Sequence, residues 1–211
     1  MTTPSRPPST PNGLVVTMWE QYGAGLEEVA QLVAQQLGLP VTGQAFSSED
    51  IEAQAAEDDA NHGILDRLAA IVGAGHNVMS VPKSADVTEA RDQATMIAQN
   101  RELVLGLAAR GGVILGHDAT KILAGRAHTL HVKLVGPVED RIAWAATQHG
   151  IGLELARMRQ EREDRIRPEM SQQFNRWDPR GTDYFDLIVN TTTFGVQGAA
   201  ALIAQGARMV G

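Results

Sequence analysis

Two glycines placed just after an apolar run set the first chemical possibility. Beyond Leu14–Met18 the chain reads Glu20-Gln21-Tyr22-Gly23-Ala24-Gly25-Leu26-Glu27-Glu28 and then takes up a helical apolar spacing. Small residues ahead of a helix let backbone N–H groups approach an anion, and the helix dipole favours negative charge there. A complete phosphate loop closes with Lys and Ser/Thr, the ammonium neutralising phosphate and the hydroxyl binding Mg²⁺. Leu26 and Glu27 stand at those two places. A carboxylate about 5 Å from a phosphate charge costs roughly 3 kcal/mol at an effective dielectric near 20, and the missing lysine forfeits a comparable attraction. Two readings follow. The turn cradles phosphate, with Glu27 holding Mg²⁺ in place of the hydroxyl; or it is a tight strand-to-helix turn, and Glu27 and Glu28 satisfy the helix dipole.

A second concentration of chemistry lies further on. Arg157, Arg159, Arg162, Arg165 and Arg167 face three acids, Glu161, Glu163 and Asp164, a positive island in an acidic chain. Arginines closing over phosphates stabilise the charge of phosphoryl transfer. The bland alternative is a solvated helix, because Glu161–Arg165 and Glu163–Arg167 both have ion-pair spacing. His117 and Asp118 end an apolar run. His117 there either meets a phosphate when protonated or is a satisfied turn histidine. His128 and His131 lie three apart in an expected strand, so they point to opposite faces and make a poor metal pair. Trp144 and Trp177 read as packing residues.

The elements that must position these groups alternate. Leu14–Met18 reads as a buried strand, and Leu26, Val29, Ala30, Val33 and Leu37 as the face of a helix ended by Gly38 and Pro40. Phe46–Gly75 reads as polar and helical, opened by Ser48. Asp86 and Glu89 form a capping-box analogue. The helix they open is expected to bury Ala90, Ala94, Ile97, Ala98, Val104, Leu105 and Ala108. Gly112–Gly116 and Leu130–Val135 read as strands, Pro137 as a helix start with Glu139 and Asp140 at its positive end. A charged helix is expected over Leu153–Arg167, a strand over Phe185–Asn190 and a helix over Val196–Met209. Alternating strands and helices imply a parallel sheet covered on both faces. Ligands in such sheets bind at the carboxyl ends of the strands. Here those ends are Trp19–Gly25, Gly116–Asp118, Gly136–Pro137 and Thr191–Thr193.

The run VVTMWEQYGAGLEEVAQLVAQQLGLPV resembles the opening of bacterial cytidylate kinase-like proteins, with Tyr22, Gly23 and Gly25 matching and Leu26 in place of a glycine. VILGHDATKIL is similar to the strand end that carries Asp-Gly-Arg-Asp in cytidylate kinases: Gly116 and Asp118 match, Leu115 replaces an acid and His117 an arginine. LHVKLVGPVEDRIAWA, REDRIRP and YFDLIVNTTTFGVQGAAALI resemble the next strand and helix, the lid and the closing strand and helix, in order. The resemblance implies a P-loop NTPase fold of the nucleoside monophosphate kinase type with a helical insertion. It implies Mg²⁺ and ATP as cofactors if the chain is active, and a nucleoside monophosphate or other small acceptor. Tyr22, Gly23, Ala24, Gly25, Leu26 and Glu27 would then meet the nucleotide. Arg162, Arg165 and Arg167 would supply transition-state charge, and His117, Asp118, Asp164 and Arg167 would hold the acceptor, with adenine near Asn190 and Thr191–Thr193. The losses at Leu26, Glu27, Leu115 and His117 support the alternative of an inactive pseudokinase used for ligand sensing or protein binding.

The totals narrow the field. The 211 residues are 43% hydrophobic and suffice for one large domain, but only 4% aromatic. A net charge of −7 argues against general nucleic-acid binding. The lack of cysteine excludes disulfides and thiolate catalysis. No apolar run suits a membrane span, and the Pro/Ser/Thr-rich start does not read as a signal peptide. The chain is expected to be cytoplasmic, with residues 1–12 a disordered tail, 13–211 one domain, about 44–109 a helical acceptor or interaction region and about 150–180 the lid-like arginine helix. A homodimer contact or protein partner is an expectation for that helical region.

Overall fold

The computed structural model describes residues 13–44 and 87–211. The expected tail, the helix over 46–75 with its Ser48 cap and the capping box at Asp86 lie outside them. The elements run β1 (Val15–Glu20), α1 (Leu26–Leu37), β2 (Val41–Thr42), α2 (Val87–Arg110), β3 (Gly112–Leu115), α3 (Ala119–Ile122), β4 (Thr129–Val135), α4 (Val138–His149), α5 (Leu153–Asn175), β5 (Leu187–Asn190) and α6 (Thr191–Val210). The five strands form one parallel sheet in the order β2-β3-β1-β4-β5. β1 is central, so the turn that follows it opens at the middle of the sheet's carboxyl edge. This is the expected α/β architecture, a parallel sheet with helices on both faces.

Side chains alternate across each strand, and the two faces differ in kind. Val16, Met18, Val113, Leu115, Val132 and Leu134 pack against Val29 and Val33 of α1 and Ala199, Ile203 and Ala207 of α6. Alanines on α6 let that helix approach closely, which is how a core poor in aromatics closes. The opposite face packs Val15 and Ile114 against Val104 and Ala108 of α2 and Ala119 and Leu123 beside α3. Along this second face runs a buried polar row. The Thr17 hydroxyl lies 2.9 Å from the Thr120 hydroxyl and 2.7 Å from His131 Nδ1. Burial holds the imidazole pKa below its usual range. Next along, Lys133 is 5% exposed and donates to the carbonyls of Pro179 (2.8 Å), Arg180 (2.8 Å) and Gly181 (3.2 Å). Its ammonium also sits 5.2 Å from the Trp19 ring centre and 5.4 Å from that of Phe185.

Several expectations are corrected. Val104 and Ala108 of α2 are buried as expected, but Ala94, Ala98 and Leu105 are exposed and Met96, not expected in the core, is buried: the inward stripe of α2 runs through positions 96, 104 and 108. The charged helix does not end at Arg167; α5 continues through Pro168 to Asn175. Proline removes one N–H, but the buried Met170 and Ser171 hold the following turns in place. The last strand begins at Leu187, since Phe185 and Asp186 are spent on turn contacts. β2 and the single-turn α3 are additions to the expected elements. The final helix does run from Val196: Asn190 caps the preceding turn, and Gly195 at φ 66° breaks it.

The ammonium cage yields a test. Lys133→Met keeps the length and removes the donor, leaving three inward carbonyls unsatisfied. Stability should fall by about 2–3 kcal/mol, and trypsin should cut sooner at Arg176 or Arg180. An unchanged urea midpoint would show that the cage does not hold this segment.

Candidate functional site

The glycine turn folds as the sequence required. Gly23 and Gly25 take left-handed φ values of 77° and 82°. A Cβ on Gly23 would lie 2.4 Å from the Arg141 carbonyl oxygen, so this position tolerates no side chain. The turn is clamped from outside. Arg141, 1% exposed, donates Nη1 to the Tyr22 carbonyl (2.5 Å), Nε to the Gly136 carbonyl (2.9 Å) and Nη2 to Asp164 Oδ2 (3.0 Å). The other Asp164 oxygen accepts the Tyr22 N–H at 2.7 Å, and Gln160 donates to Oδ2 at 2.9 Å.

Inside the turn stands a residue that sequence reasoning passed over. Glu20 Oε2 accepts the N–H of Leu26 at 3.0 Å, at the N-terminus of α1. A carboxyl of the chain thus takes a helix N-terminal donor of the kind that would face a phosphate. Desolvation pushes the Glu20 pKa up to about 8, with Glu163 and Glu28 adding to the rise and Arg167 and the Leu26 N–H opposing it. A signal was present: an acid three residues before Gly23, at the end of the central strand. Its direction, however, depends on α5 closing over the turn.

The arginine helix is split by its geometry. Arg159 and Glu163 are buried, beside the turn. Arg167 donates Nε (2.9 Å) and Nη2 (2.6 Å) to Glu163 Oε2 and Nη1 to Gln44 Oε1 (2.5 Å). Glu163 Oε1 is buried without a hydrogen-bond partner. The Tyr22 hydroxyl is buried with no hydrogen bond of ordinary geometry. Burial raises its pKa to about 12, Glu163 adds to that, and the neighbouring Arg159 charge offsets part of it. Of the two expected ion pairs, Glu163–Arg167 forms, whereas Arg165 is exposed and pairs with Glu169 at 3.6 Å. Arg162 is half-buried. Arg157 reaches across to Glu139.

His117 and Asp118 follow Gly116 in three consecutive left-handed conformations, at φ 66°, 55° and 52°. Such backbone is strained for residues with a Cβ and is held by its surroundings. His117 Nε2 lies 3.0 Å from the Gly43 carbonyl oxygen, which only accepts, so Nε2 carries the proton. Nδ1 lies 3.2 Å from Asn100 Oδ1, and Asn100 Nδ2 donates to the His117 carbonyl. Burial lowers the imidazole pKa. Asp118 accepts from the Ser171 hydroxyl (2.5 Å) and Asn175 Nδ2 (2.6 Å), and burial raises its pKa.

Two cavities flank the turn. One, of about 120 Å³, lies between β1, β3, α2 and α5. It gathers Glu20, Leu26, His117, Asp118 and Arg167 together with Trp19, Asn100, Ser171 and Asn175. The other, a cleft of about 440 Å³, lies over Gly23, Ala24, Trp144, Thr191 and Thr192. Tyr22, Arg162, Arg165 and Asp164 line neither. Glu27 is on the exposed side of α1 and also lines neither. Among the described residues no three His, Asp or Glu side chains are grouped to hold a metal ion. Nor is any helix among them long and apolar enough to cross a membrane.

This sheet order, glycine turn and arginine-rich α5 lie within a family-wide sequence pattern: the model of the cytidylate kinase-like family matches residues 15–193. The chain belongs to the cytidylate kinase-like family. A crystal structure of an uncharacterised protein from Eubacterium ventriosum is 14% identical with a TM-score of 0.62, covering 93% of this chain and 99% of that one. A shikimate kinase from Acinetobacter baumannii is 17% identical with a TM-score of 0.43, covering 94% and 93%. A segment of 126 residues is 28% identical to a uronate isomerase of Corynebacterium glutamicum, covering 58% of this chain and 24% of that protein. The chain thus spans about a quarter of that curated relative's length.

The Glu20 carboxyl gives a pH test of this cytidylate kinase-like site. Its folded pKa lies above the ordinary value of 4.5, so ionising it costs stability. The loss begins near pH 4.5, grows until about pH 8 and is constant above. Glu20→Gln keeps an acceptor for the Leu26 N–H and has no charge to lose. The variant should gain on the wild type by a few kcal/mol between about pH 5 and pH 8, the gap widening by ~1.4 kcal/mol per pH unit. Melting curves whose separation does not change with pH would refute the assignment.

Proposed function

We propose that this kinase-like protein is a small-molecule-binding member of its family that does not transfer phosphoryl groups. One observation carries the reading: Glu20 already bonds the helix N-terminal N–H at the glycine turn. ATP seated over that turn would meet this carboxyl, Glu28 nearby and no lysine at Leu26. The arginine that reaches the inner cavity, Arg167, is engaged by Glu163 and Gln44. The cavity beside Asp118 keeps the acceptor side of the scaffold in being, so a ligand has a place to bind without a phosphoryl donor.

A transferase reading draws on the cleft over Gly23 and Ala24. There a nucleotide would rest its base near Thr191 and Thr192, and Mg²⁺ would have to offset the carboxylates. The two readings part in a single assay. Wild-type protein given Mg²⁺-ATP with CMP or another nucleoside monophosphate should release no ADP above background and show no ATP-binding heat at millimolar concentration. Glu20→Gly, which frees the Leu26 N–H, should gain measurable affinity for tripolyphosphate. ADP release that scales with wild-type enzyme and acceptor would overturn the proposal.

A further inference from the structure

The inner cavity has a definite chemical character. Its walls are largely apolar: Trp19, Leu26, Met96, Ile97, Met170 and Phe174. Two carboxyls, Glu20 and Asp118, open onto it, and neither bonds a cation among the described residues. Glu20 accepts from a backbone N–H, and Asp118 from a hydroxyl and an amide. Arg167, the one cation among the described lining residues, gives Nε and Nη2 to Glu163 and Nη1 to Gln44. A phosphate ester entering here would face two desolvated acids and would have to draw Arg167 away from Glu163.

We infer that this cavity binds a compact organic cation, an ammonium or amidinium group on an apolar body, with the charged group directed at Glu20 and Asp118 and the body against Trp19, Met96 and Phe174. The inference rests on the reading of the chain as a ligand-binding member of its family, and it names the ligand class. Size limits the ligand: the cavity measures about 120 Å³, somewhat below the ~150 Å³ that encloses benzene, so only a compact molecule fits, with its charged group among the polar lining residues. Desolvation agrees as well, because burial raises both carboxyl pKa values and an incoming cation relieves that cost.

The raised Glu20 pKa also sets the pH response. Ionised Glu20 attracts the cation, so affinity rises with pH until about 8 and binding releases a proton. The charged groups around Glu20 are Arg167 and Glu163 of α5 and Glu28 of α1. His117 and Asp118, on the turn after β3, line the same cavity. The His117 pKa is lowered, so its proton leaves at lower pH than that of Glu20.

Calorimetry with benzylamine, its neutral isostere benzyl alcohol and CMP tests the assignment. Benzylamine should bind at least about tenfold more tightly than benzyl alcohol near pH 8, a difference of ~1.4 kcal/mol. Its affinity should weaken toward pH 6, and the heat should depend on buffer ionisation. Glu20→Gln should lower the preference for benzylamine over the alcohol several-fold and remove the rise in affinity between about pH 6 and pH 8. Asp118→Asn, checked for fold by circular dichroism, should reduce the preference independently. Equal or tighter binding of benzyl alcohol, tighter binding of CMP, or no heat from benzylamine at millimolar concentration would each overturn the inference. ADP release in the phosphotransfer assay bears on the function alone, so the two failures are distinguishable.

Discussion

Everything at the carboxyl edge of the sheet hangs on the Arg141–Asp164 pair. Arg141 closes three contacts with its fixed fork, to the glycine turn, to the turn after β4 and to α5. Asp164 returns a bond to the Tyr22 N–H. A buried pair of this kind gives little net stability over an apolar substitute, yet removing one partner strands a charge at a cost of about 3–5 kcal/mol. Its importance here is positional. It sets the rotation of α5, and that rotation decides which charges face the turn: Arg159, Glu163 and Arg167 are turned inward, Arg157 and Arg165 outward.

With α5 so placed, the electrostatics of the turn follow. The turn carries Glu20 on its inner side, bonded to the Leu26 N–H, and Arg167 beside it is engaged by Glu163. The same helix supplies Ser171 and Asn175 to hold Asp118. The acidic character of the cavity is therefore a product of α5 as much as of the loop. A change in the loop alone would leave Glu163 and Asp118 in place.

The sequence made the architecture readable because its signals are local. An apolar run, a glycine pair and a helical stripe identify β1, the turn and α1 without knowledge of the rest. Asn190 and Gly195 likewise mark the start of α6. Signals that depend on partners were not readable. Ala94 and Ala98 look like a helix face and are exposed, while Met96, between them in sequence, is the residue that is buried. Pro168 looks like a stop until the packing of Met170 holds the helix beyond it. The candidate site divides the same way. Glycine spacing located the turn, and the strand end located His117 and Asp118. Glu20 became visible only once its carboxyl and the Leu26 N–H were placed in space, and the arginines of α5 could not be sorted before the direction of that helix was known.

The carbonyl cage around Lys133 gives the molecule an unusual surface chemistry. The chain has three lysines, Lys83, Lys121 and Lys133, against many more arginines. One amine is locked under Trp19, and another, that of Lys121, is bonded to the Tyr184 hydroxyl and lies over its ring. Acylating reagents, which need a free neutral amine, find both occupied in the folded state. The rate at which Lys133 becomes acylated therefore acts as a clock for the opening of the 176–186 segment, with an atom of the protein itself as the reporter.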